Sequence, residues 1–262
     1  MADLVQIVFV EDPAALDRMR FLLRQHIPHK VYFLKATEEG ELVKSGSVTR
    51  PQTNTPALIR KQLEKELPKW VADNSKTIEI PFFDMSRCLP QLVGIIHEER
   101  KQEREVYINI HGGSRILSTA AMIASAIAGA KVFWIEPAKW TLKKSGDYEL
   151  RAPVGAKEAV EITVPITISV PQPPESRVLA YLHAKGGSIT GNLSEMAKEI
   201  GLEHLGVAVK KPSSAVVKLS KICGRLKEKG LVQTRKLDRK SFQVVLTEEG
   251  KILAEISSIM ED

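Results

Sequence analysis

Short apolar, β-rich runs alternate with amphipathic stretches along the first 140 residues. The strand-like runs cover residues 4–10, 30–36, 77–83, 106–112 and 131–137. The stretches with helical spacing cover residues 13–25, 56–73, 86–104 and 114–129, with Leu58, Ile59, Leu63 and Leu67 on one stripe of the second. Such alternation is typical of βαβ units. The pattern predicts an α/β domain with a parallel sheet covered by helices on both faces.

A change of pattern marks the end of this domain. Residues 159–171 (AVEITVPITISVP) alternate strictly between apolar and polar positions, which predicts a half-buried strand. Pro165 confines that strand to an edge or a bend. The segment PQPPES (171–176) then shows neither the helical nor the strand period, and its prolines predict a stiff linker. We therefore expect an N-terminal domain over 1–170, a linker over 171–176 and a C-terminal domain over 177–262.

The C-terminal segment reads as three helices, a hairpin and a closing helix. The third helix is SSAVVKLSKICGRLKEKG, and the hairpin LVQTRKLDRKSFQVVLT turns at the polar tip Leu237–Lys240. Apolar side chains recur at helical spacing along the third helix, at Val216, Leu219, Ile222, Cys223 and Leu226. This helix therefore has one core-facing stripe and a basic outer surface.

Charge is concentrated in the same segment. The 262 residues carry a net charge of +6, yet Lys210–Lys240 holds eleven Lys or Arg and two acids, a local balance of +9 that leaves −3 elsewhere. A basic block on structured elements indicates a polyanion partner.

Other functional classes are excluded by composition. The longest apolar stretch, 116–129, is too short to span a bilayer, and acidic residues flank the first apolar run. Cys88 and Cys223 have no metal-binding spacing. We expect a soluble, cytoplasmic protein without a metal or a resident cofactor.

The order of the C-terminal elements resembles the winged helix-turn-helix domain of prokaryotic transcription regulators. The resemblance is carried by SSAVVKLSKICGRLKEKGLVQTRKLDRKSFQVVLTEEG. It implies that the third helix enters the major groove of double-stranded DNA while the wing contacts phosphates. The expected DNA-binding residues are Lys210, Lys211, Ser213, Ser214, Lys218, Lys221, Arg225, Arg235, Lys236, Arg239 and Lys240. The alternative is a winged helix that docks on protein.

A second candidate site follows the fourth strand, in VYINIHGGSRIL. Gly112 and Gly113 would let the backbone approach a ligand. Ser114 is placed to cap the next helix, whose free amides attract anions, and Arg115 adds a forked cation. These residues predict a phosphate-binding turn. The structural alternatives stay open: Ser114 as a cap alone, and Asn109 and His111 as buried hydrogen-bonding groups.

The absence of two nucleotide-binding motifs limits the class of phosphate ligand. The turn lacks G-x-G-x-x-G, although Glu136 ends the next strand where a ribose-binding acid would lie, so a dinucleotide remains an option. The chain has no Walker motif, which argues against an NTPase.

The turn NIHGGSRILSTAA, with the loop EDPAALDRMR after the first strand, resembles the CARF domain, the CRISPR-associated Rossmann-like fold. CARF fused to a winged helix is the architecture of CRISPR-associated and archaeal transcription regulators. The resemblance implies a homodimer that binds a cyclic oligoadenylate or another small nucleotide across its two-fold axis. The residues carried over are Asn109, His111, Gly112, Gly113, Ser114 and Arg115, with Glu11, Asp12 and Pro13 from the first loop. Arg50, Thr53 and Asn54, in the long loop 37–56, are expected to cover the site.

We therefore expect a Rossmann-like sensing domain joined to a DNA-binding domain, which together form a ligand-responsive transcription regulator. One alternative is a ring nuclease that cleaves the cyclic oligoadenylate with Ser114, Arg115 and His111. The other is a nucleotide-binding adaptor whose winged helix contacts protein.

Overall fold

The computed structural model describes residues 3–37, 55–145, 148–163, 168–201, 205, 212–237 and 241–261. The chain forms two compact units, Met1–Ile168 and Ser169–Asp262. The fold class predicted from the sequence is confirmed, since the first unit is built on a mostly parallel sheet and the second is smaller and largely helical. No helix in the part of the chain that the structure describes is long and apolar enough to cross a membrane.

The strands of the first unit form one six-stranded sheet and one separate hairpin. Their bounds are β1 Leu4–Phe9, β2 Lys30–Ala36, β3 Lys76–Ile80, β4 Glu105–Asn109, β5 Lys131–Glu136, β6 Lys139–Ser145, β7 Tyr148–Val154 and β8 Glu158–Ile162. The sheet order is β3-β2-β1-β4-β5-β8, parallel from β3 to β5 and antiparallel at β8. β6 and β7 pair only with each other among the described strands.

Helices connect the parallel strands. A 3-10 turn at Pro13–Ala15 leads into α1, and the helices are α1 Leu16–Gln25, α2 Thr55–Glu64, α3 Lys69–Asn74, α4 Met85–Lys101 and α5 Arg115–Ala128. Asp84 caps α4 through the amides of Ser86 and Arg87. The predicted helix 56–73 is instead two helices, because Pro68 cannot continue α2 and stands at the start of α3. Leu58 is 55% exposed, not part of the buried stripe.

The predicted long strand 159–171 is also corrected. Of its described residues only those of β8 form a strand, at the sheet edge that the proline predicted, and Val160 is exposed instead of facing the core. Residues 164–167 lie outside the described residues. The β6–β7 hairpin was not predicted, although YELRAPV alternates between apolar and polar positions.

A buried charge network ties the amino-terminal edge of the sheet to α4. Glu99 accepts hydrogen bonds from Lys30 Nζ and Arg104 Nη1, each at 2.6 Å, and from the Tyr32 hydroxyl at 2.5 Å. Burial would raise the pKa of Glu99, but these three donors outweigh it and hold the pKa below its usual value. The network lies at the opposite edge from the candidate ligand site, and its role is structural.

The second unit packs helices around a small antiparallel sheet. Its elements are α6 Glu175–Ala184, β9 Ser188–Gly191, α7 Leu193–Ile200, α8 Pro212–Glu228, β10 Val232–Lys236, β11 Phe242–Leu246 and α9 Glu248–Glu261. The sheet order is β10-β11-β9. Leu179, Leu219, Ile222 and Leu226 are among the residues of its buried core. The sequence indicated every element except β9, whose four residues are too few for a periodic signal.

Candidate functional site

The loops after β1 and β4 meet at the carboxyl edge of the sheet. The chain leaves β1 toward β2 on one side and returns to β4 on the other, so the sheet reverses its direction of winding between β1 and β4. Crevices at such reversals are the ligand sites of open α/β sheets. The amides of Glu11 and Asp12 donate to the carbonyl oxygen of Gly112 at 3.1 and 3.2 Å. The two predicted walls of the site are therefore hydrogen-bonded to each other.

Glu11 bridges two strand ends beside these loops. Its Oε1 accepts a hydrogen bond from the amide of Ala36 at 2.7 Å, which joins the end of β1 to the end of β2. Asp12 caps the following 3-10 turn through the amide of Ala14, at 2.9 Å. Asp12 and Pro13 are exposed, so they are the part of this loop that solvent or a ligand reaches.

Asn109 and His111 are anchored inside the protein. Asn109 is fully buried, donates from Nδ2 to the carbonyl oxygen of Arg18 at 3.1 Å, and accepts from the amide of His111 at 3.1 Å. His111 Nε2 accepts from the amide of Ile135 at 2.8 Å. Burial, reinforced by the charge of Arg18, lowers the pKa of His111 to about 4. The ring is therefore neutral near pH 7 and fixes the turn.

The two glycines of the turn are required by packing within the chain. A Cβ at Gly112 would lie 2.1 Å from Met19 Cε and 2.4 Å from the carbonyl oxygen of Phe9, and its φ is +85°. A Cβ at Gly113 would lie 2.7 Å from Cδ2 of Phe9. Both side-chain positions face Phe9 at the end of β1, and that of Gly112 also faces Met19 of α1, so the glycines let the β4 loop cross over the end of β1.

Ser114 caps α5, as its sequence position predicted. Its Oγ accepts from the amide of Leu117 at 3.1 Å and donates to the carbonyl oxygen of Phe82 at 2.7 Å. Arg115 is exposed, and its guanidinium contacts no partner among the described residues. Arg115 is thus the turn residue best placed to meet an anionic ligand. The loop residues Arg50, Thr53 and Asn54 lie outside the described residues.

Arg18 belongs to this site and was missed from the sequence. Its side chain extends from α1 to the loops after β1 and β4, with Nη2 donating to the carbonyl oxygen of Ala14 at 3.2 Å and Nε 3.3 Å from His111 Nδ1. It is only 4% exposed. A signal was present, because Arg18 stands three residues after Ala15 and four before Leu22, on the buried stripe of the helix.

The second candidate surface lies on α8. Ala215, Leu219, Ile222 and Leu226 bury one face of this helix. The opposite face forms an open groove that is lined by Ser214, Val217, Lys218, Lys221 and Arg225. Val217 is 56% exposed and was not foreseen as part of this surface. Four of the predicted DNA-binding residues therefore share one helix face.

Arg225 is already paired within its own unit. Its Nε lies 2.9 Å from Glu175 Oε1, and Lys229 Nζ lies 2.5 Å from the other oxygen of the same carboxylate. Arg235 and Lys236 are exposed on β10. Lys210, Lys211, Arg239 and Lys240 lie outside the described residues, as does the side chain of Ser213.

Neither surface carries an evident metal centre. Within the described ranges, no three His, Cys, Asp or Glu side chains are grouped so that they could hold a metal ion. Cys88 and Cys223 are free and buried, and burial raises the pKa of each thiol to about 11.

Comparison with solved structures gives remote likenesses over most of the chain. Protein VC1899 from Vibrio cholerae has 14% identity and a TM-score of 0.39, covering 98% of this chain and 65% of that one. Can2 from Sulfobacillus thermosulfidooxidans, solved with cyclic tetra-adenylate, has 12% identity and a TM-score of 0.38, covering 95% and 61%. Csm6 from Enterococcus italicus, bound to cyclic hexa-2'-fluoro-hexa-dAMP, has 9% identity and a TM-score of 0.38, covering 88% and 55%.

The chain spans less than two thirds of the length of each of these proteins. TM-scores this low assign no function. No curated protein matches the sequence. A model of one family, described as HFX_2341_N:-like, N-terminal, matches residues 6–140, just over half of the chain, including the loops after β1 and β4. The chain therefore belongs to the HFX_2341_N-like, N-terminal family.

Proposed function

We propose that this protein is a ligand-responsive, DNA-binding transcription regulator that acts as a homodimer. Its first unit binds a cyclic oligoadenylate or a similar small nucleotide at the loops that follow β1 and β4. Its second unit is a winged helix-turn-helix that binds double-stranded DNA. The observation that carries the proposal is the basic stripe on the exposed face of α8.

The geometry of α8 suits a recognition helix. Seventeen residues long, it is held by its buried apolar face and preceded by α7. The N-terminal part of its exposed face offers Ser214, Val217 and Lys218. In helix-turn-helix proteins this part of the second helix meets base edges. A serine hydroxyl can hydrogen-bond to several bases, and a valine methyl suits the methyl group of thymine.

The remaining charges suit phosphate contacts. Lys221 is exposed on the same stripe, and Arg235 and Lys236 extend along β10 toward the tip of the hairpin. Such side chains position a protein on the duplex without reading its sequence. Arg225 contributes less to this surface, because Glu175 already balances its charge.

The nucleotide assignment is supported by the meeting of the β1 and β4 loops where the sheet reverses its winding and by the CARF resemblance of these two loops. The β1 and β4 loops form one hydrogen-bonded edge, and Arg115 offers an exposed cation at the start of α5. Free amides at a helix start favour a phosphate. Binding fits this geometry better than cleavage, because Ser114 is used as a cap and His111 Nε2 is occupied by the Ile135 amide.

The DNA-binding claim is tested by Lys221→Ala with Lys227→Ala as its matched control. Lys227 lies on the same helix, and six residues correspond to about 120° around the helix axis, which places it off the stripe. The probe is a duplex that the wild-type protein selects from a random-sequence pool. Lys221→Ala should weaken binding roughly tenfold. It should also reduce the slope of log K against log salt by about one.

Lys227→Ala should leave both quantities near their wild-type values. Equal effects of the two substitutions would show that binding depends only on total charge. Failure of the wild-type protein to enrich any duplex would instead favour the adaptor, whose second unit docks on protein.

A further inference from the structure

Arg18 is a buried cation whose donors are mostly unused. A guanidinium carries five N–H donors and no acceptor. In the described part of the chain, Nη2 donates to the carbonyl oxygen of Ala14, Nε faces His111, and the buried Nη1 has no hydrogen-bond partner. An unpaired buried charge costs several kcal/mol, so proteins rarely keep one without a use.

The contact with His111 does not satisfy Arg18. A neutral imidazole accepts a hydrogen bond at one nitrogen and donates from the other. The amide of Ile135 and the Nε–H of Arg18 are both obligatory donors, so they compete for the one acceptor nitrogen of the neutral ring. The Ile135 contact to Nε2 is the shorter, 2.8 Å against 3.3 Å, so we assign Nε2 as the acceptor and place the proton on Nδ1. The Nε–H of Arg18, 3.3 Å from Nδ1, therefore meets a second donor. The carbonyl oxygen of Ala14 is the one good acceptor that the guanidinium contacts within the described residues.

The nearby carboxylates do not neutralise Arg18 by direct contact. The charges of Asp12 and Asp17 act on it from a distance, but burial outweighs them and lowers the pKa of Arg18. Asp12 uses Oδ1 to cap the amide of Ala14, and Asp17 lies 3.5 Å from Arg20. No carboxylate of the described residues therefore pairs directly with the positive charge of Arg18.

The position of Arg18 indicates which kind of group would supply acceptors to its guanidinium. Its guanidinium lies between Ala14, in the loop after β1, and His111, in the loop after β4, at the point where the sheet reverses its winding. Ala14, whose carbonyl oxygen Nη2 contacts, is itself exposed. An oxyanion that entered between these loops would supply acceptors to Nη1 and Nη2 together, which is the paired geometry that arginine offers to phosphate.

We propose that Arg18 binds a phosphate group of the ligand of the first unit. The proposal rests on the proposed function for the nucleotide that carries the phosphate. The anion itself is assigned by Arg18 and its surroundings alone. Arg18 would thus be a ligand-binding residue in addition to those in the β4 turn.

Arg18→Met tests the proposal, with Arg24→Met as the matched control on the same helix. Arg24 is a surface residue whose guanidinium already pairs with Glu66, at 2.7 Å. Melting temperatures are measured with inorganic phosphate, pyrophosphate, cyclic tetra-adenylate and cyclic hexa-adenylate, against sodium chloride of equal ionic strength. A ligand that binds only the folded state raises the melting temperature.

Wild type and Arg24→Met should show the same rise with at least one phosphate probe. Arg18→Met should lose at least about tenfold in affinity for that probe, as expected for a charge-assisted pair of hydrogen bonds. Without any probe, Arg18→Met should be at least as stable as wild type, because it removes an uncompensated charge. A merely structural arginine would give the opposite result.

The remaining outcomes separate this proposal from the proposed function. If the cyclic nucleotides stabilise wild type and Arg18→Met equally, the role of Arg18 is wrong and the nucleotide site stands. If pyrophosphate alone distinguishes the two proteins, Arg18 binds phosphate and the cyclic ligand is wrong. If no phosphate probe stabilises wild type, or if Arg18→Met is less stable or fails to fold, the proposal is overturned.

Discussion

His111 joins two strands of the sheet through one nitrogen and faces a buried cation with the other. The Nε2 contact with the amide of Ile135 requires an unprotonated nitrogen, and the neighbouring charge of Arg18 opposes a positive ring. The charge of Asp12 acts in the opposite direction but more weakly. The imidazole is therefore built into the turn as a neutral group, in contrast to the histidine of an acid–base catalyst.

This environment predicts a specific dependence of stability on pH. The folded pKa of His111 is about 4, below the 6.5 of an unperturbed histidine. Between these values the unfolded chain binds more protons than the folded one, so the contribution of His111 is fully present above pH 6.5 and is lost as the pH falls toward 4. Urea unfolding of His111→Gln should show a shallower loss of stability over this window than the wild type.

An NMR titration of the wild-type ring provides the direct measurement. The His111 resonances should stay constant from pH 8 to about 5.5 and move only in more acid solution. A midpoint near 6.5 would show that the ring is solvated and that the Ile135 contact is absent.

At the scale of elements, the alternation of apolar runs predicted the strands and most helices of the first unit. Because those segments are buried on at least one face, their apolar residues recur at the spacing of a helix or a strand. Three features of the fold were not predicted from the apolar pattern, each for a physical reason. Pro68 divides one helix, β9 is too short for a period, and the β6–β7 hairpin makes its ladder without a strongly buried face.

The sequence predicted where the candidate site lies, but not which contacts its residues make. Gly112, Gly113 and Ser114 marked the turn, yet the structure shows that they shape it through contacts with β1, α1 and the end of β3. The place of Arg18 on a buried helical stripe marked it as unusual, but a lone arginine there has no motif that assigns it a role. Only the tertiary structure shows that its donors lack acceptors.

The β4 turn itself can be tested with Gly112→Ala, using Gly129→Ala as the control at the other end of α5. Both glycines have a positive φ, +85° and +80°. A Cβ at Gly112 would collide with Met19 and Phe9, whereas at Gly129 the nearest atom is 3.9 Å away, in Arg100. Gly112→Ala should cost about 2–4 kcal/mol and Gly129→Ala about 1 kcal/mol in the unfolding free energy of this unit. Equal costs would mean that the loop crosses β1 less closely than described.

At the scale of the whole molecule, the chain combines two units with different surfaces. The first has loop ends and buried polar groups that meet where the sheet reverses its winding, and the second has a helix with a basic outer face. A regulator needs both kinds of surface and a free-energy coupling between them. Coupling of this kind is reciprocal and usually changes affinity by about 5- to 150-fold.

The most direct measurement is the affinity for the selected duplex with and without a saturating cyclic oligoadenylate, at fixed salt. We predict that the ligand changes the Kd for DNA at least about fivefold, in either direction, and that DNA changes the Kd for the ligand by the same factor. If the protein binds both molecules and neither affinity depends on the other, the protein is not a ligand-responsive regulator.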